Sequence, residues 1–238
     1  MATGLSRRPV KAPSAPGVTS VPLLEGVAGF RDLGGFPTVD GASTRKGVLF
    51  RSPCPSELTA ADRRVLAALR VALRIDLRAT FEVRDAPPVD LAELACAHVP
   101  VLDAPDAARY ARRLRSALHD RRDPAAVLAA FLDSEGEAFA KVFELLSERT
   151  PAVVHCTTGR DRTGLVAGLA LRLAGVPDNF IAVDYAESLP QGIEGDAGPI
   201  LQALEKVDRE FGSVRAYLAE HGCPDAAIDR FRAAFRTG

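Results

Sequence analysis

Short apolar runs alternate with longer amphipathic segments along most of this sequence. Four runs have the length expected of buried strands, at residues 48–50, 74–78, 95–101 and 151–156. Apolar positions recur with helical spacing over residues 59–70, 105–149, 163–174 and 177–236. Strands that alternate with helices predict an α/β protein with a central, largely parallel sheet flanked by helices. The C-terminal third of the chain is predicted to be helical.

Local signals mark the ends of several elements. Thr59 is a predicted helix N-cap, and Gly175 followed by Pro177 is typical of a helix end. Residues 1–21 contain prolines, serines and basic residues without the apolar core of a signal peptide, so we expect a disordered leader there. Residues 22–238 are expected to form a single domain.

Composition narrows the function classes. The chain has 47% hydrophobic residues, 26% charged residues and a formal net charge of −1, so it carries no global basic field for nucleic acid. Its four cysteines are dispersed without a CxxC pair, which argues against a disulfide framework or a zinc site. No apolar run reaches the roughly 20 residues of a membrane span. We therefore expect a cytoplasmic protein without an integral membrane segment or nucleic-acid partner, with signal-less secretion left open.

The most informative stretch is residues 155–164, which read His-Cys-Thr-Thr-Gly-Arg-Asp-Arg-Thr-Gly. The Cys156-x5-Arg162 spacing is weak evidence alone, because this chain is rich in arginine. The context is more specific: Cys156 ends an apolar strand, Gly159 lies in the turn, and Arg162 opens an apolar helix. A buried structural cysteine would need none of these neighbours. We therefore interpret the stretch as a functional loop.

A loop of this kind can hold an oxyanion. Consecutive backbone N–H groups curl around one anion, and the helix N-terminus adds partial positive charge. The same field stabilises a thiolate at Cys156, and the planar fork of Arg162 can grip two phosphate oxygens, which lysine cannot do. The predicted phosphate-binding residues are Thr157, Thr158, Gly159, Arg160, Asp161 and Arg162.

Side chains around the loop are assigned supporting roles. His155 is expected to order the loop from behind rather than to act as a base. Thr163 is expected to hydrogen-bond the cysteine sulfur and ease its departure. Asp76 and Arg78 end a strand, where α/β sites are built, and are expected to form a salt bridge that supports the loop.

Residues 155–164 resemble the phosphate-binding loop of protein tyrosine phosphatases. The Asp-Arg-Thr-Gly ending is similar to a bacterial branch, the "tyrosine phosphatase family 3" group, which also contains phosphoinositide phosphatases. Other segments match that group in order, so that the resemblance covers about residues 24 to 236: they are 29–35, 50–52, 75–78, 184–188, 211–213 and 217–218. The group usually has lysine at the position of Arg160 and asparagine at that of Gly29.

The resemblance implies the cysteine-phosphatase fold and a two-step reaction. Cys156 attacks the phosphoryl group, and water then hydrolyses the cysteinyl-phosphate, with no cofactor and no metal. The leaving group needs a proton. Asp161 is the favoured donor, and Asp103 or Asp106 on a separate loop is the alternative. The expected substrate is a phosphorylated protein, phosphotyrosine first, with dual-specificity or phosphoinositide activity as extensions.

Other classes stay open at this point. A thiol oxidoreductase or sulfur-transfer enzyme would also use an anion-cradled cysteine, but the sequence lacks a partner cysteine close by. A catalytically silent phosphate-binding module would be favoured by loss of Cys156 or Arg162, and both are present. Arginines concentrated in residues 109–122 form either a solvated helix face or a peripheral landing area for anionic lipid.

Overall fold

The computed structural model describes residues 24–89, 94–118, 123–188 and 197–238, with backbone only for residues 117 and 118. The predicted leader therefore lies outside the described residues, as do Arg121 and Arg122 of the arginine-rich segment. Within the described ranges, no helix combines the length and the apolar character that crossing a membrane requires.

Five short strands form one sheet in the described part of the chain. They are β1 (Arg31–Asp32), β2 (Leu49–Ser52), β3 (Leu73–Asp76), β4 (Ala95–His98) and β5 (Ala152–His155). Their spatial order is β1-β2-β5-β3-β4, in which β1 is antiparallel to β2 and every other pairing is parallel. The predicted α/β class with a largely parallel sheet is confirmed.

Helices fill the connections and the C-terminal third. Those in the described residues are α1 (Ala60–Ala68), α2 (Thr80–Asp85), α3 (Ala107–Leu118), α4 (Pro124–Ser134), α5 (Gly136–Glu148), α6 (Asp161–Ala174), α7 (Asp178–Ala186), α8 (Gly198–Phe211), α9 (Val214–Glu220) and α10 (Asp225–Phe235). α6 contacts the sheet at β2 and β5, and α4, α7, α8, α9 and α10 pack around it. This arrangement explains why α6 is apolar on nearly all sides.

The sheet separates a large hydrophobic core from a smaller one. The large core lies on the side of α6 and includes Phe139, Phe143 and Leu165, all of them fully buried. On the other face, Phe30 stacks on Phe50 with ring centroids 5.4 Å apart, and Leu66 of α1 packs beside them. Both faces of the sheet are thus covered, as a parallel sheet requires.

The sequence signals predicted the ends of most helices and strands to within a few residues of their observed positions. α1 follows Thr59, whose hydroxyl accepts a hydrogen bond from the Asp62 backbone N–H (3.0 Å), while Asp62 accepts one from the Thr59 backbone (2.9 Å). α6 ends before Gly175, which adopts a left-handed φ of +88°. The strand expected over residues 95–101 ends earlier, at His98. α2 lies after the strand expected over residues 74–78, where no helix was predicted, because six residues are too few to display a helical period.

Candidate active site

The loop at residues 155–164 joins the carboxyl end of β5 to the start of α6. β5 lies between β2 and β3, so the loop opens at the edge where parallel strands end. Gly159 has a φ of +70°, and a Cβ there would lie 2.5 Å from the Pro53 backbone nitrogen. Glycine is therefore required by both backbone conformation and space. The first backbone N–H groups of α6 lack intrahelical partners and belong to the same loop.

The predicted nucleophile lies at the bottom of this loop. Cys156 is only 2% exposed, whereas Thr157 and Thr158 are exposed. The backbone N–H of Cys54 donates to the Thr157 carbonyl (3.1 Å), which ties the loop to the segment after β2. A thiol this recessed can be reached only by a group that projects into the loop.

Arg162 is held by a carboxylate that the sequence analysis did not single out. Its Nη1 donates to Glu82 Oε2 (2.6 Å) and its Nη2 donates to Glu82 Oε1 (3.0 Å). Burial opposes the charge on Glu82, but the hydrogen bonds from Arg162 outweigh it and hold the pKa of Glu82 below its usual range. Burial likewise opposes the charge on Arg162, yet Glu82 raises the pKa of Arg162 above its ordinary value. Both groups are charged, and the guanidinium fork has a fixed orientation.

Glu82 also connects Arg162 to the rest of the loop. Its Oε1 accepts a hydrogen bond from the Thr157 hydroxyl, and its Oε2 accepts one from the Ala79 backbone N–H (2.9 Å). The second contact is the capping interaction that starts α2. Glu82 is the third residue of α2 and follows Ala79 by three positions, and a glutamate at this spacing is the sequence signal for such a cap. The identity of the residue it pairs with is set by the tertiary fold.

An aromatic pair stands beside Arg162. The Arg162 guanidinium carbon lies 5.8 Å from the ring centroid of Tyr110 in α3, and Phe81 of α2 meets Tyr110 edge-on at 5.7 Å. Burial raises the pKa of the Tyr110 phenol, so the ring is neutral at physiological pH. A flat, neutral π-surface therefore lines one side of the guanidinium.

Asp161 and Arg160 lie at the rim of the loop. Asp161 is the first residue of α6, and its side chain is 40% exposed. Arg160 Nε is 3.8 Å from Asp161 Oδ1, and the Arg160 guanidinium lies 6.0 Å from the ring centroid of Tyr185. The Asp161 carboxylate is thus partly exposed at the rim, and Arg160 adds a positive charge beside it.

The alternative proton donors are both hydrogen-bonded to the backbone. Asp103 accepts from the Thr80 N–H (2.7 Å), the Thr80 hydroxyl (3.0 Å) and the Ala104 N–H (2.8 Å). Burial opposes ionisation of Asp103, but these hydrogen bonds outweigh it and hold the pKa of Asp103 below its ordinary value. Asp106 accepts from the Arg109 N–H (2.8 Å) at the start of α3. A carboxylate stabilised in its charged form is a poor acid, which argues against Asp103 as the proton donor.

Polar side chains support the loop from behind. Arg78 Nε donates to Asp76 Oδ1 (3.0 Å) and Arg78 Nη2 to Asp76 Oδ2 (2.7 Å), which is the ion pair expected from the sequence. His155 is fully buried, with its Nε2 3.8 Å from Asp76 Oδ2. Burial lowers the pKa of His155 to about 4, and the attraction of Asp76 offsets only part of this effect. A neutral, enclosed imidazole fits a positioning role better than proton transfer.

The buried imidazole leads to a pH-dependent prediction. The folded-state pKa of His155 is about 4, whereas an unfolded histidine titrates near 6.5. The unfolded chain therefore binds the extra proton between these values, and stability is lost as the pH falls through this window. We expect the free energy of unfolding to drop by about 2 kcal/mol from this group between pH 7 and pH 5. Urea unfolding of the wild type and of His155→Gln at both pH values measures this change in the free energy of unfolding. An equal decrease in the two proteins would contradict the prediction.

One expected contact is not present. Thr163 is fully buried in the first turn of α6, but its hydroxyl makes no hydrogen bond to any described residue, including the sulfur of Cys156. Sequence spacing predicts which helical turn carries the hydroxyl, but it does not predict the rotamer that aims it. Assistance by Thr163 to the departing sulfur therefore requires a rotation of its side chain.

The arginine-rich segment begins on α3. All four arginines of this helix, Arg109, Arg112, Arg113 and Arg115, are exposed. Arg113 pairs with Glu135 (3.1 Å), and Arg109 Nε lies 3.6 Å from Asp106 Oδ2. Arg113 also donates to the Asp103 carbonyl, so this arginine ties α3 to the loop that precedes it. The remaining three give an exposed cationic face on the helix that carries Tyr110.

Comparison with known proteins bears on the whole chain. Residues 22–237 match the model of the tyrosine phosphatase family. A tyrosine-protein phosphatase of Nostoc commune is 37% identical over 192 residues, which cover 72% of this chain and 61% of that protein. A putative tyrosine-protein phosphatase of Cupriavidus necator is 31% identical over 189 residues, covering 74% of this chain and 67% of its own length.

A third relative is the triple specificity protein phosphatase PtpB of Mycobacterium tuberculosis. It is 25% identical over an alignment of 270 positions, which covers 88% of this chain and 96% of that protein. The chain thus spans less than two thirds of the Nostoc relative but nearly the full mycobacterial one. Because the family model extends over almost all of the sequence, this chain belongs to the tyrosine phosphatase family.

Proposed function

We propose that this chain hydrolyses phosphate monoesters through a cysteinyl-phosphate intermediate, with protein phosphotyrosine as the preferred substrate. One observation carries the proposal. The fork of Arg162 is fixed by Glu82 within the loop that begins at the recessed thiol of Cys156. A guanidinium oriented in advance loses little freedom when it grips a phosphate, and the loop N–H groups supply further donors.

Residues of this loop supply the nucleophile, the proton donor and the phosphate-binding groups that the reaction needs. The sulfur of Cys156 forms a bond to phosphorus as the bond from phosphorus to the ester oxygen breaks. Asp161 gives its proton to the departing oxygen. A water molecule then attacks phosphorus, Asp161 takes one of its protons, and the S–P bond breaks to release phosphate and the thiolate. Arg162 and the loop N–H groups hold the equatorial oxygens in both steps.

The surroundings of Arg162 favour an aryl ester. Phe81 and Tyr110 place an aromatic wall beside the guanidinium, against which a phosphotyrosine ring can lie. The cationic rim formed by Arg160 can pair with a second phosphate, as in phosphoinositides. The mycobacterial relative is described as having triple specificity, which supports testing more than one substrate class.

A substrate panel tests the proposed function. Rates are measured on a phosphotyrosine peptide, on phosphoserine and phosphothreonine peptides of the same sequence, and on a phosphoinositide in vesicles. We expect the largest kcat/KM for the phosphotyrosine peptide. Hydrolysis of none of these esters would reject the proposal, and faster hydrolysis of the vesicle lipid would reassign the preferred substrate.

Arg160 is the residue we expect to discriminate between substrate classes. Arg160→Ala should lower kcat/KM for a bis-phosphorylated inositide more than for a phosphotyrosine peptide, because only the inositide carries a second phosphate. The expected gap is about 1–2 kcal/mol, the scale of one charge-assisted hydrogen bond. Both substrates are assayed at one ionic strength, since salt screens exposed charges. Arg64→Ala, which removes an exposed charge from α1, is the control. Equal losses on both substrates would mean that Arg160 serves the loop generally.

A further inference from the structure

Three segments that match the family pattern, but lie far from the loop in sequence, meet directly behind it. Arg31 comes from β1, Arg51 from β2 and Asp184 from α7. All three are buried, with exposed fractions of 4%, 1% and 2%. The reaction described above uses none of them. A buried cluster of two arginines and one aspartate needs a physical explanation, because burial of charge is costly.

The cluster is joined by direct ion pairs. Asp184 Oδ1 accepts from Arg31 Nε (2.9 Å), and Asp184 Oδ2 accepts from Arg51 Nη1. Arg31 Nη2 also donates to the Asp184 carbonyl (2.6 Å) and to the Ser188 hydroxyl (2.8 Å). Burial opposes ionisation of Asp184, but the two arginines outweigh it and hold its pKa below the ordinary value. Burial, and then repulsion by Arg31, lowers the pKa of Arg51 to about 10, so Arg51 is charged at neutral pH.

One contact links this cluster to the phosphate-binding loop. Arg51 Nη2 donates to the Gly159 carbonyl oxygen at 2.7 Å. The Gly159 carbonyl and the Arg160 N–H belong to the same peptide plane and point in opposite directions. A hydrogen bond that holds the carbonyl behind the loop therefore holds the Arg160 N–H toward its inside. Glycine at position 159 makes this restraint important, because its backbone can rotate more freely than that of other residues.

We propose that Arg51, itself oriented by Asp184 and Arg31, is a positioning residue that sets the Gly159–Arg160 peptide so that its N–H contacts the phosphoryl oxygens. This inference rests on the proposed phosphatase function and extends it to residues that touch no substrate. The two terminal nitrogens of Arg51 have different tasks: one pairs with Asp184 and the other binds the loop. That division requires a guanidinium, because a lysine has a single nitrogen on a shorter side chain.

Arg51→Lys is the variant that separates positioning from folding. It keeps a cation beside Asp184, so the chain should fold, but it cannot keep both contacts. We expect kcat for p-nitrophenyl phosphate to fall about tenfold or more, with KM changed by less than about threefold. The affinity for vanadate, which mimics the five-coordinate transition state, should fall by a similar factor, while the affinity for inorganic phosphate falls less. The backbone amide resonance of Arg160 should respond less to vanadate than it does in the wild type.

A second variant and a matched control complete the test. Asp184→Asn removes the charge that orients Arg51 and should lower kcat and vanadate affinity in the same direction. Asp62→Asn is the control, since Asp62 is equally buried and hydrogen-bonded but supports α1 and the segment at Glu25. The inference fails if folded Arg51→Lys has wild-type kcat and vanadate affinity, or if Asp62→Asn lowers both as much. The two proposals can fail separately. If the wild type hydrolyses no ester but its vanadate affinity still depends on Arg51, the proposed function is rejected and the positioning role of Arg51 stands.

Discussion

Replacement of Cys156 by serine is expected to abolish hydrolysis of p-nitrophenyl phosphate while leaving the fold intact. The thiol is 2% exposed at the bottom of the loop, and a serine hydroxyl fits the same space. A hydroxyl is a far weaker nucleophile than a thiolate when no general base activates it, and the neighbouring His155 is directed at Asp76. We expect kcat to fall by on the order of a thousandfold or more. Stopped assays at high enzyme concentration measure the residual rate.

Two controls make this result specific. Cys96→Ser changes an exposed cysteine on the edge strand β4 and should leave turnover unchanged. Calorimetry of vanadate or phosphate binding to Cys156→Ser reports whether the loop still holds an oxyanion. Retained turnover in the folded Cys156→Ser variant would eliminate the cysteinyl-phosphate mechanism. Such an outcome would require a nucleophile other than Cys156.

The strand-loop-helix unit around Cys156 was predictable because its signals are local. The apolar run before the cysteine became β5, and the apolar stretch after Arg162 became α6 with Gly175 at its end. Strand and helix periods are read over a few neighbouring residues, so a short window contains all the information needed. The helix begins two residues earlier than predicted, at Asp161 rather than Thr163.

The contacts that orient the loop were not predictable, because they join residues distant in sequence. Glu82 and Arg162 are 80 residues apart, and Arg31 and Asp184 are 153 apart. No periodic pattern marks such pairs, since they depend on the order β1-β2-β5-β3-β4 rather than on neighbouring residues. α2 was missed for a different reason, because its six residues are too few to display a helical period.

Family resemblance supplied partial information about those distant pairs. The segments containing Arg31, Arg51 and Asp184 were noted as matches, but a match in order does not say which side chains touch. The structure adds that they share one buried cluster and that the cluster ends on the Gly159 carbonyl. Thr163 shows the opposite limit. The sequence spacing correctly placed this residue in the first turn of α6, but it did not predict the side-chain rotamer, which leaves the hydroxyl without the expected hydrogen bond to Cys156.

Replacement of Arg162 by lysine is expected to remove most of the activity although it conserves the charge. In the native protein, Glu82 binds both terminal nitrogens of Arg162, at 2.6 and 3.0 Å, and so fixes the plane of the fork. The one nitrogen of a lysine would satisfy either Glu82 or a phosphate oxygen, and it offers no second parallel donor. We expect kcat to fall by at least about a hundredfold, the scale for loss of a principal transition-state donor.

The matched control for this change lies on the same helix. Arg172→Lys alters an arginine near the other end of α6 that pairs with Asp178 and Asp208, and it should leave kcat close to the wild-type value. Glu82→Gln should produce an intermediate loss, because the amide keeps one acceptor oxygen for Arg162 but replaces the other with a donor. Steady-state kcat and KM for all three variants show whether Arg162 binds the transferring phosphoryl group. A loss below about tenfold in Arg162→Lys would mean that the arginine supports the loop and does not grip the transferring phosphoryl group.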